Sequence, residues 1–185
     1  MHVNVGPIKG RTGAYLDVEL SERLESPWDG NVVFVEPVQA KVRVVNTGNG
    51  YVATGDASAR ASIVCDRCLE PFPAYLEARF EQEFRKFDEP QGARAGAGEA
   101  AAPGERREED DDYRAFDGDT IDLDETVLEA FLLAAPVKFV CREDCRGICP
   151  RCGTNLNAKQ CSCEAEAVDP RLAELAKLLD PEGHD

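Results

Sequence analysis

From residue 32 to residue 84 apolar and polar positions mostly alternate with a period of two, the spacing of strands that bury one face. Val38, Ala40, Val42 and Val44 fall on one side, and Gln39, Lys41 and Arg43 on the other. The run Asn46-Thr47-Gly48-Asn49-Gly50 supplies residues that tolerate the positive φ a hairpin needs, and Tyr51 to Thr54 returns from it. A third run sets Ala57, Ala59, Ala61, Ile63 and Cys65 on one face, and a fourth does so with Leu76, Ala78, Phe80 and Phe84. Cys65-Asp66-Arg67-Cys68 then occupies the turn between two strands. Pro71 and Pro73 fit beside it, since proline has no N–H to give a central strand.

After residue 121 the period becomes helical. Leu123, Val127, Leu128, Phe131 and Leu132 form one apolar stripe, opened by a capping-box-like pair, Asp122 and Glu125, and ended by Pro136. A sheet with one apolar face needs a cover, so the stripe reads as core rather than as a partner groove. Val137 to Val140 reads as a short strand leading into a cysteine-rich segment. Asp169-Pro170 opens a second helix with Leu172, Leu175, Leu178 and Leu179 on its apolar side, which docks on its own domain or offers itself to a partner. Residues 88–112 carry Gly, Ala, Glu, Arg and Pro without an apolar anchor, the composition of a disordered acidic linker. The expected fold is α+β: an antiparallel β-sheet covered by one or two helices, with a zinc-knuckle, ribbon-like C-terminal segment. Residues 1–87 form the β-rich part, and 113–185 hold the helices and knuckles and pack with 1–87 as one domain.

Length and composition allow this. The chain has 185 residues, 43% of them hydrophobic, enough for one core. It contains no run of eighteen apolar residues, and its start, Met1-His2-Val3-Asn4-Val5-Gly6, lacks a basic head before an apolar stretch. The expected location is therefore the cytoplasm, with no membrane contact. There, paired cysteines read as metal ligands or redox groups before structural disulfides. The formal charge of −15 restricts nucleic-acid binding to a local basic face.

Eight cysteines carry the candidate chemistry. Cys149-Pro150-Arg151-Cys152-Gly153 is a knuckle sequence: its spacing lets both sulfurs reach one ion, and Gly153 permits the turn that aims amides at sulfur. Cys161-Ser162-Cys163 can close that site. Cys65, Cys68, Cys141 and Cys145 are left for a second, giving two zinc ions per chain; an exchanged partition would join Cys65 and Cys68 to Cys149 and Cys152. Four thiolates on a dication leave a charge of −2 that donors and cations around the site must stabilise. Lys138, Arg142, Arg146, Arg151 and Lys159 outnumber Glu143 and Asp144 here. They read either as counter-charge to the thiolates or as contacts to RNA phosphates or a partner. No catalytic residue is expected: a catalytic zinc keeps an open position, and the histidines, His2 and His184, are terminal. A thioredoxin-like use of Cys65 and Cys68 would place the first at a helix N-terminus, which the strand pattern opposes.

Cys65-Asp66-Arg67-Cys68-Leu69-Glu70-Pro71-Phe72, the helix ending Ala134-Ala135-Pro136, the run from Cys141 to Asn157, and Asp169-Pro170-Arg171-Leu172 together resemble the bacterial and plastid YceD family, the DUF177 domain. Its members are associated with accumulation of large-subunit ribosomal RNA, and their gene commonly neighbours that of a small large-subunit ribosomal protein. Some members lack the final Cys-x-Cys, so the resemblance implies that the site using Cys65 and Cys68 is the common element. The insertion at 88–112 is longer than is usual in the family. The resemblance implies a non-enzymatic ribosome-assembly factor supporting 23S RNA accumulation, with precursor ribosomal RNA or a basic ribosomal protein as partner and no small-molecule substrate. Two other readings stay open: a dithiol redox or metal-responsive zinc protein, and a zinc-ribbon binder associated with transcription.

Overall fold

The structure, a computed structural model, describes residues 1–86 and 113–163. The alternating region folds as β3 (Val32–Phe34), β4 (Val38–Asn46), β5 (Tyr51–Val64) and β6 (Pro71–Lys86). They are preceded by β1 (His2–Asn4) and β2 (Tyr15–Glu22), and followed by β7 (Tyr113–Phe116), β8 (Thr120–Asp122) and α1 (Asp124–Ala134). The main sheet runs β2-β4-β5-β6-β7, with β3 also on β5, while β1 and β8 form a separate pair. All pairings are antiparallel except β6 with β7. The hairpin turn lies where Asn46 to Gly50 predicts it, with Asn46 opposite Tyr51.

The two runs at 51–54 and 57–65 merge into one strand of 14 residues. Gly55 makes this possible. It pairs with Phe80, and a Cβ there would lie 2.8 Å from Phe80 Cζ and 2.5 Å from the Lys41 carbonyl oxygen. The bare glycine thus leaves room for the phenyl ring over β5. Val38, Ala40, Val42, Val44, Ala53, Ala57, Ala59, Phe80 and Phe84 are buried in one core with Val127 and Phe131 of α1. A smaller cluster of Val32, Ala61 and Ile63, with Trp28, Phe72 and Phe139 against it, buries the end of β5 from which Cys65 emerges.

Three local expectations are corrected. The buried face of α1 is Thr126, Val127, Ala130 and Phe131, continuing from Leu123, while Leu132 is exposed, so the stripe is rotated away from that position. Glu125 does not close a capping box: it pairs with the Arg114 guanidinium, which also holds Glu129 at 2.6 Å, and the Asp124 N–H donates to Asp122 Oδ1 at 2.9 Å. Val137 to Val140 is not a strand. Asp66 makes the bonds a ladder would make: its N–H donates to the Phe139 carbonyl at 2.8 Å, and its Oδ2 accepts from the Phe139 N–H at 2.7 Å. Val137 is left fully exposed, whereas Phe139 packs edge-on to Trp28. The linker at 88–112 and the helix expected from Asp169 lie outside the described residues.

Among the described residues two compact units are distinguished, residues 1–66 with 70–86 and 113–141, and residues 67–69 with 142–163. The first contains every strand and α1. The second is held by short-range bonds: the Ile148 N–H donates to the Arg67 carbonyl at 3.1 Å, Leu156 N–H to the Gly147 carbonyl at 2.9 Å, and Ile148 bridges Asn155. Among the described residues no helix is long and apolar enough to cross a membrane.

Candidate metal centres

The turn after β5 is built to present thiols. The Cys65 N–H donates to the Glu70 carbonyl at 3.0 Å, closing the loop, and Leu69 sits at φ 59, the left-handed region that L-residues with a side chain seldom enter. Gly153, also one residue beyond a Cys-x-x-Cys pair, has φ 69. The two knuckles therefore share one backbone solution, and in the first a leucine bears the strain that glycine avoids in the second. Cys65 is fully buried, and its sulfur accepts the Cys141 N–H at 3.4 Å.

The sulfurs of Cys65, Cys68, Cys141 and Cys145 lie within 4.8 Å of one another, and so do those of Cys149, Cys152, Cys161 and Cys163. A tetrahedral ion with Zn–S bonds of about 2.3 Å needs sulfur–sulfur edges of about 3.8 Å, so both groups fit a closed four-thiolate site with small adjustments. This grouping is the one that leaves Cys65 and Cys68 with Cys141 and Cys145, not with Cys149 and Cys152.

Donors surround both groups. Asn157 donates from Nδ2 to Cys145 Sγ at 3.3 Å, while its Oδ1 accepts the Arg146 N–H and Arg142 Nη2, both at 2.8 Å. Arg67 Nη1 donates to the carbonyls of Glu143 and Cys145 at 3.1 and 3.2 Å, fixing the loop that carries Cys145. In the second group the Cys149 N–H donates to the Thr154 carbonyl at 2.8 Å and the Gly153 N–H to the Cys149 carbonyl at 2.9 Å. Amides of Cys152 and Arg151 hold the Cys149 thiol below its usual range. The Thr154 hydroxyl, 3.2 Å from Cys152 Sγ, and the Thr154 amide bring Cys152 down to about 6. Cys163, held as a proton donor to Cys152, is pushed up to about 12. Negative charge already gathered at Cys149 and Cys152 opposes another thiolate there, and a bound dication reverses that opposition.

The two groups differ in access. Cys65, Cys68 and Cys145 are buried and Cys141 half-buried, whereas Cys152 and Cys163 are exposed. Cys65 and Cys68 lie in a turn between strands, not at the start of a helix. Lys138, Arg142, Arg146, Arg151 and Lys159 are all exposed, with Arg142 also 3.3 Å from Asp144. Sequence reasoning passed over Asp66, Arg67, Thr154 and Asn157 as supports for the thiols. The pattern Asn155-Leu156-Asn157 just beyond a knuckle was the available signal, because asparagine in loops bonds nearby backbone: Asn155 Oδ1 accepts the Asn157 N–H at 2.9 Å.

Comparison with known proteins places these cysteines in a family context. The family described as "Large ribosomal RNA subunit accumulation protein YceD" matches residues 53–179, a span that includes all eight. The uncharacterised protein Rv2926c of Mycobacterium tuberculosis is 31% identical over 187 residues, covering 98% of this chain and 83% of that protein. The uncharacterised YlbN of Bacillus subtilis is 39% identical over 72 residues, 38% of this chain and 42% of its own length. An Arabidopsis thaliana protein named "Large ribosomal RNA subunit accumulation protein YCED homolog 1, chloroplastic" is 30% identical over 60 residues, 32% of this chain and 19% of that one. No solved structure matches. The family match spans more than half of the chain and takes in both cysteine groups, and by it the chain belongs to the YceD family.

Proposed function

We propose that this chain is a non-enzymatic ribosome-assembly factor that supports accumulation of large-subunit (23S) ribosomal RNA in the cytoplasm, built around two structural zinc ions. The observation that carries this reading is the YceD family match across both four-cysteine groups. All-sulfur donor sets of four select zinc among the common intracellular dications, and four protein ligands leave no position for a reactive water. The zinc ions act by holding loops in place, and α1 serves as a cover for the sheet, with Phe131 5.7 Å from Phe34.

Charge suggests how the factor engages its partners. A formal charge of −15 suits a basic ribosomal protein, held by complementary potential, while the exposed Lys138, Arg142, Arg146, Arg151 and Lys159 are the candidate contacts for RNA phosphates, Arg142 already sharing its guanidinium with Asn157 and Asp144. A redox role has one observation in its favour: Cys152 and Cys163 are exposed, and Cys152 is drawn down to about 6.

Gradient sedimentation of a native lysate, probed for this chain and for immature large-subunit RNA, tests the assembly reading. Co-migration with the precursor that nuclease abolishes is the expected result. Residence at the top of the gradient, even after gentle crosslinking, would overturn it in favour of the redox role.

A further inference from the structure

Ion pairs on this acidic chain follow a pattern with one exception. Lys41 pairs with Glu19, Arg43 with Asp17, Arg60 with Glu36 and Arg79 with Asp56, and Arg114 meets two carboxylates. At Asp119 the ratio inverts: Lys9 Nζ lies 2.6 Å and Lys86 Nζ 3.8 Å from the same oxygen, Oδ1. Among the described residues this is the place where two lysine or arginine side chains share one acid; Asp122 lies near both the N-terminal ammonium and His2, but that ammonium also meets Glu22 and Asp124. One carboxylate neutralises one ammonium, so a positive charge is left over.

That surplus faces a recess of about 670 Å³. Lys9 and Lys86 line it together with Thr12, Asn49, Tyr51 and glycines at positions 10, 48 and 50, and among the described residues no carboxylate contributes to its wall. The two loops that wall it are tied by Asn46, one of the few buried polar side chains. Asn46 Nδ2 donates to the Ile8 carbonyl and its Oδ1 accepts the Gly48 N–H, both at 2.8 Å. Its backbone N–H and carbonyl bond Ala14 and Gly13 across the same seam, at 2.9 and 2.8 Å. The recess is thus held open by bonds beneath it, before any ligand arrives. A larger recess of about 1010 Å³ on the sheet face makes the contrast: Asp17, Glu19 and Asp56 in its wall are matched by Arg43, Lys41 and Arg79, and Glu81 adds a further acid.

We propose that the recess between the Lys9–Gly13 loop and the β4–β5 turn is a phosphate site that takes a phosphodiester of the RNA backbone. A phosphate is acceptor-only, and the wall offers it two ammonium groups, the Thr12 hydroxyl and the Asn49 amide. A backbone phosphate positions an RNA without reading its sequence, which suits a contact on a chain whose overall charge repels polyanions. The inference rests on the assembly reading for the source of the phosphate, and it adds an RNA contact on the sheet-bearing part of the chain to those proposed for the knuckle cations.

The test uses the full chain with a fluorescein-labelled twelve-nucleotide oligouridylate, and with inorganic phosphate as a separate probe. Oligouridylate is expected to shift the amide resonances of Gly10, Gly48 and Asn49. Lys9→Gln with Lys86→Gln is expected to weaken binding on the order of tenfold and to lower the salt slope by about 1.4, two single-strand phosphate contacts at about 0.7 each. Asp119→Asn, which frees both ammonium groups, is expected to tighten binding, so the prediction stands in both directions even if the double variant folds poorly. Equal affinity of all three proteins would overturn the site while leaving the assembly reading intact, since RNA would then bind elsewhere. Shifts with inorganic phosphate at high concentration and none with the oligonucleotide would mean an adventitious ion only, and overturn it too. No binding of either probe at low salt overturns the site, and the gradient decides the assembly reading independently.

Discussion

Asn157 shows how much of a metal centre is made outside its ligands. One side chain donates to Cys145 Sγ and accepts from both the backbone of Arg146 and the guanidinium of Arg142. A donor to a thiolate spreads its charge, and an acceptor for the next amide fixes where that thiolate points. Asn157→Ala removes both effects and leaves the Arg146 N–H without its partner. The expected outcome is a zinc affinity 10–100-fold lower at the Cys65 group, read by competition with a chromogenic chelator, with the Cys149 group unchanged. Equal affinity at both groups would show that Asn157 only shapes the loop. The cysteines themselves were legible because their spacing is the chemistry. Arg67 and Asp66 were not, because what each bonds depends on chain segments that the fold brings together from afar, as with Asp66 and Phe139, while Asn157 bonds only 11 to 15 residues back and had the Asn155-Leu156-Asn157 pattern as its signal.

At the scale of elements, β5 shows why one strand can look like two. Its alternation is carried by Tyr51 and Ala53 and then by Ala57, Ala59, Ala61 and Ile63, with Gly55 between them. Read as sequence, a glycine there is a break. In the fold it is the position over which Phe80 lies, and the backbone oxygen of Lys41 cannot give way as a flexible side chain would. Gly55→Ala therefore forces a shift of strand or ring, at about 1–3 kcal/mol. Thermal unfolding of the zinc-loaded chain is expected to fall by about 2–10 °C, and an unchanged midpoint would mean that the sheet yields there freely. Long elements with one buried face were legible from their period; β2 carries the same signal in Leu16, Val18 and Leu20, but the predicted alternation starts at residue 32 and misses β2. β1, β7 and β8, of three or four residues each, are too short to show a period and exist through their pairing partners. The expected capping box failed for a similar reason, since β7 brings Arg114 to Glu125.

For the whole molecule, the sheet and the thiol groups form one argument about function. β5 is buried to its end by Val32, Ala61 and Ile63, whereas the second unit is held by hydrogen bonds between its own short segments, such as Ile148 to Arg67 and Leu156 to Gly147. In the proposed zinc-loaded chain, metal binding would supply what hydrophobic burial does not in such segments. The formal charge of −15 belongs to the chain as a whole, and it is the property on which the proposed hold on a basic protein rests. The most direct test of this account is the ratio of large- to small-subunit ribosomal RNA in cells that lack the chain, complemented by the wild type or by Cys65→Ser with Cys68→Ser. The account predicts a lowered ratio that the wild type restores and the double variant does not. A ratio that stays unchanged when the chain is absent would contradict it.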